Sequence, residues 1–154
     1  MLLFLKNLLF TLMVPGSVAI YVPFLLVHDR PIGTGILRFA SLILFVLGGS
    51  IYTWCVWDFA VFGRGTPAPI DAPKQLVVHG LYRFTRNPMY VGVITTILGW
   101  AILYQTPGLL LYALGVALCF QCFIVFYEEP YLQRTFGSSY QKYRVRVGRW
   151  LPRM

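Results

Sequence analysis

The chain contains 154 residues, of which 58% are hydrophobic, 17% aromatic and only 12% charged. This balance excludes an ordinary soluble domain, and four long apolar runs favour one integral membrane domain over residues 1–154, built as a helical bundle. The three cysteines are odd in number and lie inside apolar runs, so we expect packing roles for them and neither a secreted disulfide framework nor a metal site.

The first two apolar runs, residues 8–27 and 36–62, are each long enough to cross the hydrocarbon core of a bilayer as a helix. In the first run, Pro15 and Pro23 predict a bend, which a membrane helix tolerates when neighbouring groups bond the freed carbonyls. A cleaved signal peptide is the competing interpretation, but Lys6 is the only basic residue before the run. We therefore predict that the first run is a retained transmembrane helix.

The second half of the chain contains two more predicted spans, residues 88–104 and 109–127. The letters QTPG separate them, and adjacent proline and glycine are a turn signal, so these spans should form a tight helical hairpin. The following segment, residues 128–154, is basic and has Gly137 as a candidate interruption. Its apolar residues recur every three or four positions: Leu132, Phe136, Tyr140, Tyr143 and Val147. The predicted fold is thus an all-α membrane protein with four transmembrane helices and an amphipathic C-terminal helix along the membrane surface.

The distribution of lysine and arginine predicts the orientation of the chain. Of the thirteen such residues, all but Arg30 and Arg38 lie on the side that carries both termini, so both termini should be cytoplasmic. The net charge of +8 then reflects topology and attraction to anionic membrane lipids. Since no groove-reading motif accompanies this charge, we do not expect a nucleic acid partner.

A polar, basic stretch, HGLYRFTRNPMYVG, interrupts the apolar sequence at residues 79–92. Asn87 and Pro88 form a helix start, because asparagine can cap free amides and proline suits the first helical position. The third span should therefore begin at Pro88. Ahead of this stretch, the letters TPAPIDAPK are either a linker or a lid over a ligand.

The two legs of the predicted hairpin are nearly equal in length, which places Arg86 level with Glu128 and Glu129. Taken separately, the carboxylates could be a solvated helix end and Arg86 a positive-inside anchor. Taken together, a helix N-terminus beside Arg86 suits a carboxylate, and a glutamate suits an ammonium group or a ribose hydroxyl pair. The rings of Tyr82 and Tyr90 suit a cation. S-adenosylmethionine carries all of these groups.

Three stretches, GLYRFTRNPMYVG, EEPYL and FGSSYQKYRVRVGRWLP, resemble the isoprenylcysteine carboxyl methyltransferase and phospholipid methyltransferase superfamily of small membrane enzymes. The resemblance extends from Gly65 onward and implies that two motifs, separated by a helical hairpin, bind S-adenosylmethionine near the cytoplasmic surface. The residues that match these motifs are Arg86, Pro88, Tyr90, Glu128, Glu129 and Leu132. Asn87 stands where the family commonly has histidine, and asparagine cannot act as an acid or base near neutral pH.

The resemblance implies an S-adenosylmethionine-dependent methyltransferase whose acceptor is lipophilic and comes from the membrane. The acceptor expected first is a prenylcysteine-like carboxylate, and the alternative is a phospholipid amine or a small lipophilic thiol or acid. An amine would need a base to take its proton, for which Glu129 and His79 are the candidates. Outside enzymes, the alternative is a membrane adaptor that binds lipid.

The residues and the resemblance together define the expected site. The catalytic residues should be Arg86 and Glu129. The cofactor-binding residues should be His79, Gly80, Tyr82, Arg86, Asn87, Pro88, Tyr90, Glu128, Glu129 and Leu132. Asp58, an ionisable residue near the end of the second span, is a further candidate, although it could instead pair with Arg64. The oligomeric state is left open.

Overall fold

Helices form most of the structure, a computed structural model that describes residues 2–63 and 75–153. Within these residues the α-helices are α1 (Leu2–Met13), α2 (Val22–Val27), α3 (Leu37–Asp58), α4 (Pro88–Tyr104), α5 (Pro107–Phe123) and α6 (Glu129–Arg146). Short π-helical turns extend or join them at Ser17–Tyr21, Phe59–Gly63 and Ile124–Glu128, and a 3₁₀ turn covers Gly80–Arg83. The predicted all-α class is confirmed. Arg64 and the linker or lid predicted at residues 66–74 lie outside the described residues.

Three helical stretches in the described part of the chain are long and apolar enough to cross a membrane: Leu5–Val27, Leu37–Gly63 and Pro107–Arg146. Helix α4 is also apolar but shorter, with 17 residues. It contacts the N-terminal helix (residues 2–27), α3 and α5, so α4 lies at the centre of the bundle. Because protein surrounds a central helix, its apolar character alone does not assign it to the membrane, and the fourth span remains a prediction.

Helices α4 and α5 form the tight hairpin that the sequence predicts. Gln105 and Thr106 connect them, and Gln105 adopts the left-handed conformation, with φ of 49°, that ends α4. Helix α5 begins at Pro107 rather than at residue 109 as predicted. The first residue of a helix needs no N–H, so Pro107 starts α5 instead of forming the turn.

Pro23 leaves one carbonyl of the N-terminal helix without its usual partner. A side chain of α4 donates a hydrogen bond to that carbonyl instead. Pro23 has no N–H to offer the Ala19 carbonyl, which accepts a hydrogen bond of 3.0 Å from the Trp100 indole of α4 instead. Trp100 also packs edge-on against Phe45 of α3, with 5.5 Å between ring centroids. One side chain thus connects three helices.

A π-helical turn frees a second carbonyl in the same helix. The Val22 N–H bonds the Ser17 carbonyl in the π-helical pattern, so the Val18 carbonyl loses its usual partner. It accepts a hydrogen bond of 2.8 Å from the Tyr112 hydroxyl of α5. The turn follows Pro15, where the sequence predicts a bend, and these side-chain bonds are the compensation that an irregular membrane helix requires.

Helices α3 and α4 approach each other closely where each carries a glycine. A Cβ atom on Gly48 would lie 2.7 Å from the Gly92 carbonyl oxygen, and one on Gly92 would lie 2.9 Å from the Gly48 carbonyl oxygen. Small residues permit such crossings in membranes, where dispersion contacts hold helices together. The crossing brings Cys55 of α3 and Met89 of α4 into one buried cluster with Tyr82, so it determines where the polar stretch before α4 lies.

The apolar face that the sequence predicts for α6 packs against the protein, while the position of α6 along the membrane surface remains a prediction. A cavity is lined by three of these apolar residues, Leu132, Phe136 and Tyr143. The other two, Tyr140 and Val147, are buried. Gly137 interrupts α6 with φ of 50°, as the sequence suggests, in a backbone conformation that glycine adopts without strain. The spacing of apolar residues indicates that α6 has a buried face but not what covers it.

Replacing Gly48 with alanine should weaken the α3–α4 crossing, because the new Cβ would meet the Gly92 carbonyl and the Thr96 hydroxyl. We expect a loss of about 1 to 3 kcal/mol in unfolding free energy, the usual cost of overpacking, seen as a lower unfolding midpoint in detergent. Gly49→Ala is the control, since a Cβ there meets no described atom within 4 Å. Equal midpoints for the two variants would contradict the crossing.

Candidate active site

A cavity of about 570 Å³ lies between the N-terminal helix, the end of α3, α4, α5 and α6. Polar side chains from both predicted motifs line it: Tyr82, Arg86, Tyr90 and Glu128. Apolar and aromatic side chains form the rest of its wall: Phe10, Val14, Phe59, Leu76, Val77, Cys119, Phe120, Phe123, Tyr127, Tyr131, Leu132, Phe136 and Tyr143. The volume is within the range of small-molecule sites, and the mixed wall suits an amphiphilic ligand.

Glu129 joins three parts of the chain through its charge. Its Oε1 lies 2.9 Å from Arg86 Nη1 and 2.8 Å from Arg149 Nε, and its Oε2 accepts a hydrogen bond of 3.0 Å from Arg149 Nη2. Burial would raise the pKa of Glu129, but the hydrogen bond from Arg149 and the charges of Arg86 and Arg149 outweigh burial and lower that pKa. Glu129 is therefore ionised at neutral pH, in the two-point geometry that makes such pairs strong.

The backbone that follows α6 returns to the start of α4. The Arg86 N–H donates to the Gly148 carbonyl at 2.9 Å, and Thr85 and Gly148 form a parallel bridge. The Arg149 carbonyl accepts hydrogen bonds from the Thr85 hydroxyl at 2.9 Å and from the Asn87 side-chain amide at 3.0 Å. Arg86 is thus held through its main chain as well as its side chain.

Asn87 does not cap α4, contrary to the prediction. Its side chain makes no capping hydrogen bond and donates to the Arg149 carbonyl instead. With φ of −129° and ψ of 48°, Asn87 also departs from the extended conformation usual at this position. The acceptor lies 62 residues further along the chain, so local sequence could not show this bond. Pro88 does begin α4 as predicted.

Glu128 has surroundings quite different from those of Glu129. It lines the cavity, and its Oε2 accepts a hydrogen bond of 2.9 Å from the Tyr90 hydroxyl. Burial raises the pKa of Glu128, the charge of Glu129 raises it further, and the Tyr90 bond and the charge of Arg86 oppose these effects only in part. A carboxylate in this environment accepts a proton more readily than an exposed one. The adjacent glutamates therefore have different chemical capacities.

The guanidinium of Arg86 is only partly hydrogen-bonded among the residues that the structure describes. Its Nη1 contacts Glu129 and donates to the Tyr140 hydroxyl at 3.0 Å. Its Nε is buried and has no acceptor among the residues that the structure describes. The Arg86 side chain is only 10% exposed and lines the cavity. A buried donor without an acceptor is costly, so a ligand oxygen at this position would be favoured.

Two of the predicted cofactor-binding residues, His79 and Gly80, are not among the described residues that line the cavity. His79 stacks on Phe62, with 4.2 Å between ring centroids. Gly80 has φ of +53°, and a Cβ there would collide with the Asp58 carboxylate. Both residues therefore shape the turn that precedes α4. Leu132, in contrast, lines the cavity where the matched motif places it.

Sequence reasoning missed the contribution of the C-terminal segment. Tyr143 donates to the Tyr82 carbonyl at 2.7 Å and so fastens the 3₁₀ turn to α6. Trp150 donates to the Gln121 side chain of α5 at 2.8 Å, which fixes the segment that carries Arg149. The available signal was the stretch FGSSYQKYRVRVGRWLP, which the resemblance includes without assigning a role to any residue after Leu132.

The helices and the cavity define a class of protein: a helical membrane protein with a cavity that suits an amphiphilic ligand. Residues 36–139 match the family model described as phospholipid methyltransferase. The chain therefore belongs to the phospholipid methyltransferase family, within the superfamily that its motifs resemble. This membership favours the predicted enzyme over the adaptor interpretation.

One relative is the phosphatidylethanolamine N-methyltransferase of Yarrowia lipolytica (strain CLIB 122 / E 150), which is 34% identical over 70 residues. The similar stretch covers 46% of this chain and only 7% of that protein. No solved structure matches the chain significantly.

Arg149→Gln should destabilise the fold by removing one guanidinium from Glu129. We expect the unfolding free energy near neutral pH to fall by about 1.5 to 3 kcal/mol, the range for hydrogen bonds to charged groups. Because folding lowers the pKa of Glu129, this stabilisation is present above the ordinary value of 4.5 and is lost as the pH falls through the lower folded value. The gap in unfolding midpoint between parent and variant should therefore shrink below pH 4.5.

The control for this experiment is Arg146→Gln, at an exposed position of α6. It changes the net charge equally and should leave the midpoint nearly unchanged. A gap for Arg149→Gln that persisted through acidification would show that Glu129 is not the source of the effect.

Proposed function

We propose that this protein transfers the methyl group of S-adenosylmethionine to the amine of a membrane phospholipid. The observation that carries the proposal is the cavity in which Arg86 and Glu128, from the two predicted motifs, share a wall with aromatic and apolar side chains. The charged groups suit a polar cofactor, and the apolar wall suits a lipid. The family and the Yarrowia relative support an amine acceptor over the prenylcysteine-like carboxylate that was expected first.

The groups of the cavity fit S-adenosylmethionine. The guanidinium of Arg86, which lines the cavity, would hold the carboxylate of the cofactor. Tyr90 and Phe120, with 4.4 Å between ring centroids, offer aromatic faces to a cationic centre. When bound, the cofactor would supply an activated methyl group on sulfur, which a nucleophilic nitrogen can accept.

Glu128 is the proposed proton acceptor. A lipid ammonium must lose a proton before its nitrogen can act as a nucleophile, and a positioned carboxylate can take that proton. Glu128 lines the cavity, and burial raises its pKa toward the range that such a base needs. The two bases named from the sequence are less well placed, because Glu129 is paired with arginines and His79 stacks on Phe62.

Arg86 and Glu129 would act on the reaction through placement of the cofactor. Glu129 and Tyr140 both engage Nη1 of Arg86, which holds the guanidinium at the cavity wall. A fixed guanidinium holds the cofactor in one position, and correct placement of two reactants supplies much of the rate in group transfer. Glu129 is then a positioning residue, while Arg86 contacts the cofactor.

We further propose four spans with both termini in the cytoplasm. The excess of lysine and arginine on one side supports this orientation. It places the cavity at the cytoplasmic edge of the membrane, where a water-soluble cofactor and a lipid can both enter.

Arg86→Lys should weaken S-adenosylmethionine binding because lysine keeps the charge but lacks the planar guanidinium and its Nε–H. We expect a loss of about 1.5 to 3 kcal/mol in binding free energy, measured by calorimetric titration of the protein in detergent. Arg83→Lys, at an exposed position of the same stretch, should bind as tightly as the parent. Unchanged affinity for Arg86→Lys would make positive-inside anchoring the better account of this residue.

Glu128→Gln should lower methyl transfer to phosphatidylethanolamine by about 10² to 10⁴, the range for a positioned base, since glutamine cannot accept a proton. Raising the pH should restore part of the rate, because bulk solvent then deprotonates the amine. Transfer of labelled methyl to lipid measures both effects, and Arg134→Gln, at an exposed position of α6, is the control.

Two results would contradict this assignment. A Glu128→Gln variant as active as the parent at neutral pH would remove Glu128 from proton transfer. Methylation of a prenylcysteine-like carboxylate, which needs no base, with none of the phospholipid amine would return the acceptor to the one first expected.

A further inference from the structure

The N-terminal helix and α5 contact each other at one level of the bundle. Ala19 and Ala113 belong to the same buried cluster, and their small side chains allow the two helices to approach. At the same level the Tyr112 hydroxyl donates to the Val18 carbonyl. The two helices therefore pack directly against each other at this level.

Nearer the other end of the same two helices, their side chains line the cavity instead. Phe10 and Val14 come from the N-terminal helix, and Cys119 and Phe123 come from α5. Val14 precedes Ala19 by about five residues, and Cys119 follows Ala113 by about six. Because the two helices are antiparallel, both residues lie roughly 8 Å from the level of the alanines, in the same direction. The helices thus bound a slot that opens toward the polar motifs.

This slot opens to the outside of the bundle. Val14 is 52% exposed and Phe123 is 40% exposed, although both line the cavity. Cys119 is exposed as well. A residue that lines a cavity and is also exposed marks a mouth. These residues lie within helical stretches apolar enough to cross a membrane, so we expect the mouth to face hydrocarbon.

We propose that this slot, bounded by Phe10, Val14, Cys119 and Phe123, binds a hydrocarbon chain of the acceptor lipid. The inference rests on the proposed function, because it is the acceptor's amine that must reach Glu128. Cys119 precedes Glu128 by about nine helical residues, or roughly 13 Å. A lipid whose amine lies at Glu128 therefore has its chains at the level of the slot, and the apolar slot walls favour hydrocarbon over a headgroup.

One wall of the slot comes from outside the region that the family model matches. The match begins at residue 36, whereas Phe10 and Val14 precede it. The residues proposed to hold the cofactor lie within the matched region or the C-terminal segment, so we assign Phe10 and Val14 to the acceptor. We infer that Val14 and Cys119 determine which lipid chains this protein accepts.

The test fills the slot from either wall, with Cys119→Trp and Val14→Trp made separately. Each should raise the KM for dioleoyl phosphatidylethanolamine by at least about tenfold, the loss expected when two methylene groups are no longer buried. The short-chain dihexanoyl lipid should be affected less than about twofold, since its chains bury little surface in the slot. S-adenosylmethionine affinity should not change. Cys122→Trp is the matched control, because Cys122 is exposed but absent from the described cavity wall.

A second measurement does not depend on turnover. A trace of phosphatidylethanolamine with a photoreactive diazirine on its chain should label residues 10–14 and 119–123 in nanodiscs. This labelling should be lost in Cys119→Trp and kept in Cys122→Trp. Equal labelling or equal KM values for the Cys119 and Cys122 variants would overturn the slot. A parent that methylates neither lipid, but shows the expected labelling, would overturn the proposed function while supporting the slot.

Discussion

The ionised carboxylate of Glu129 is the constraint on which the site depends. A buried charge is tolerated only when partners surround it, and Arg86 before α4 and Arg149 after α6 provide them. The start of α4, the start of α6 and the segment after α6 therefore cannot separate without leaving that charge unpaired. Glu128 differs from Glu129 because the two arginines pair with Glu129, whereas Glu128 lines the cavity.

Much of the fold could be predicted because apolar length, helix breakers and turn signals are properties of neighbouring residues. The same local reasoning placed Arg86 level with the two glutamates, and the structure brings Arg86 within 2.9 Å of Glu129. It could not say which glutamate would be paired and which would face a ligand. That choice depends on Tyr90 and Arg149, which reach the glutamates from other helices and segments.

The prediction for Asn87 was wrong for a physical reason. Asn87 was expected to cap its own helix, because that expectation used only the chemistry of nearby residues. A distant part of the chain, the Arg149 carbonyl, provides the partner instead. A residue type therefore predicts what a side chain can do, whereas tertiary structure determines where it does so.

The return of the C-terminal segment to α4 separates two events in time. Gly148 and Arg149 follow all the described helices in the chain, so those helices can be synthesised before these contacts form. Until then the Arg86 N–H lacks its carbonyl acceptor and Glu129 lacks its two-point partner. A chain shortened before Gly148 would therefore leave both groups without these partners, even with all the described helices in place.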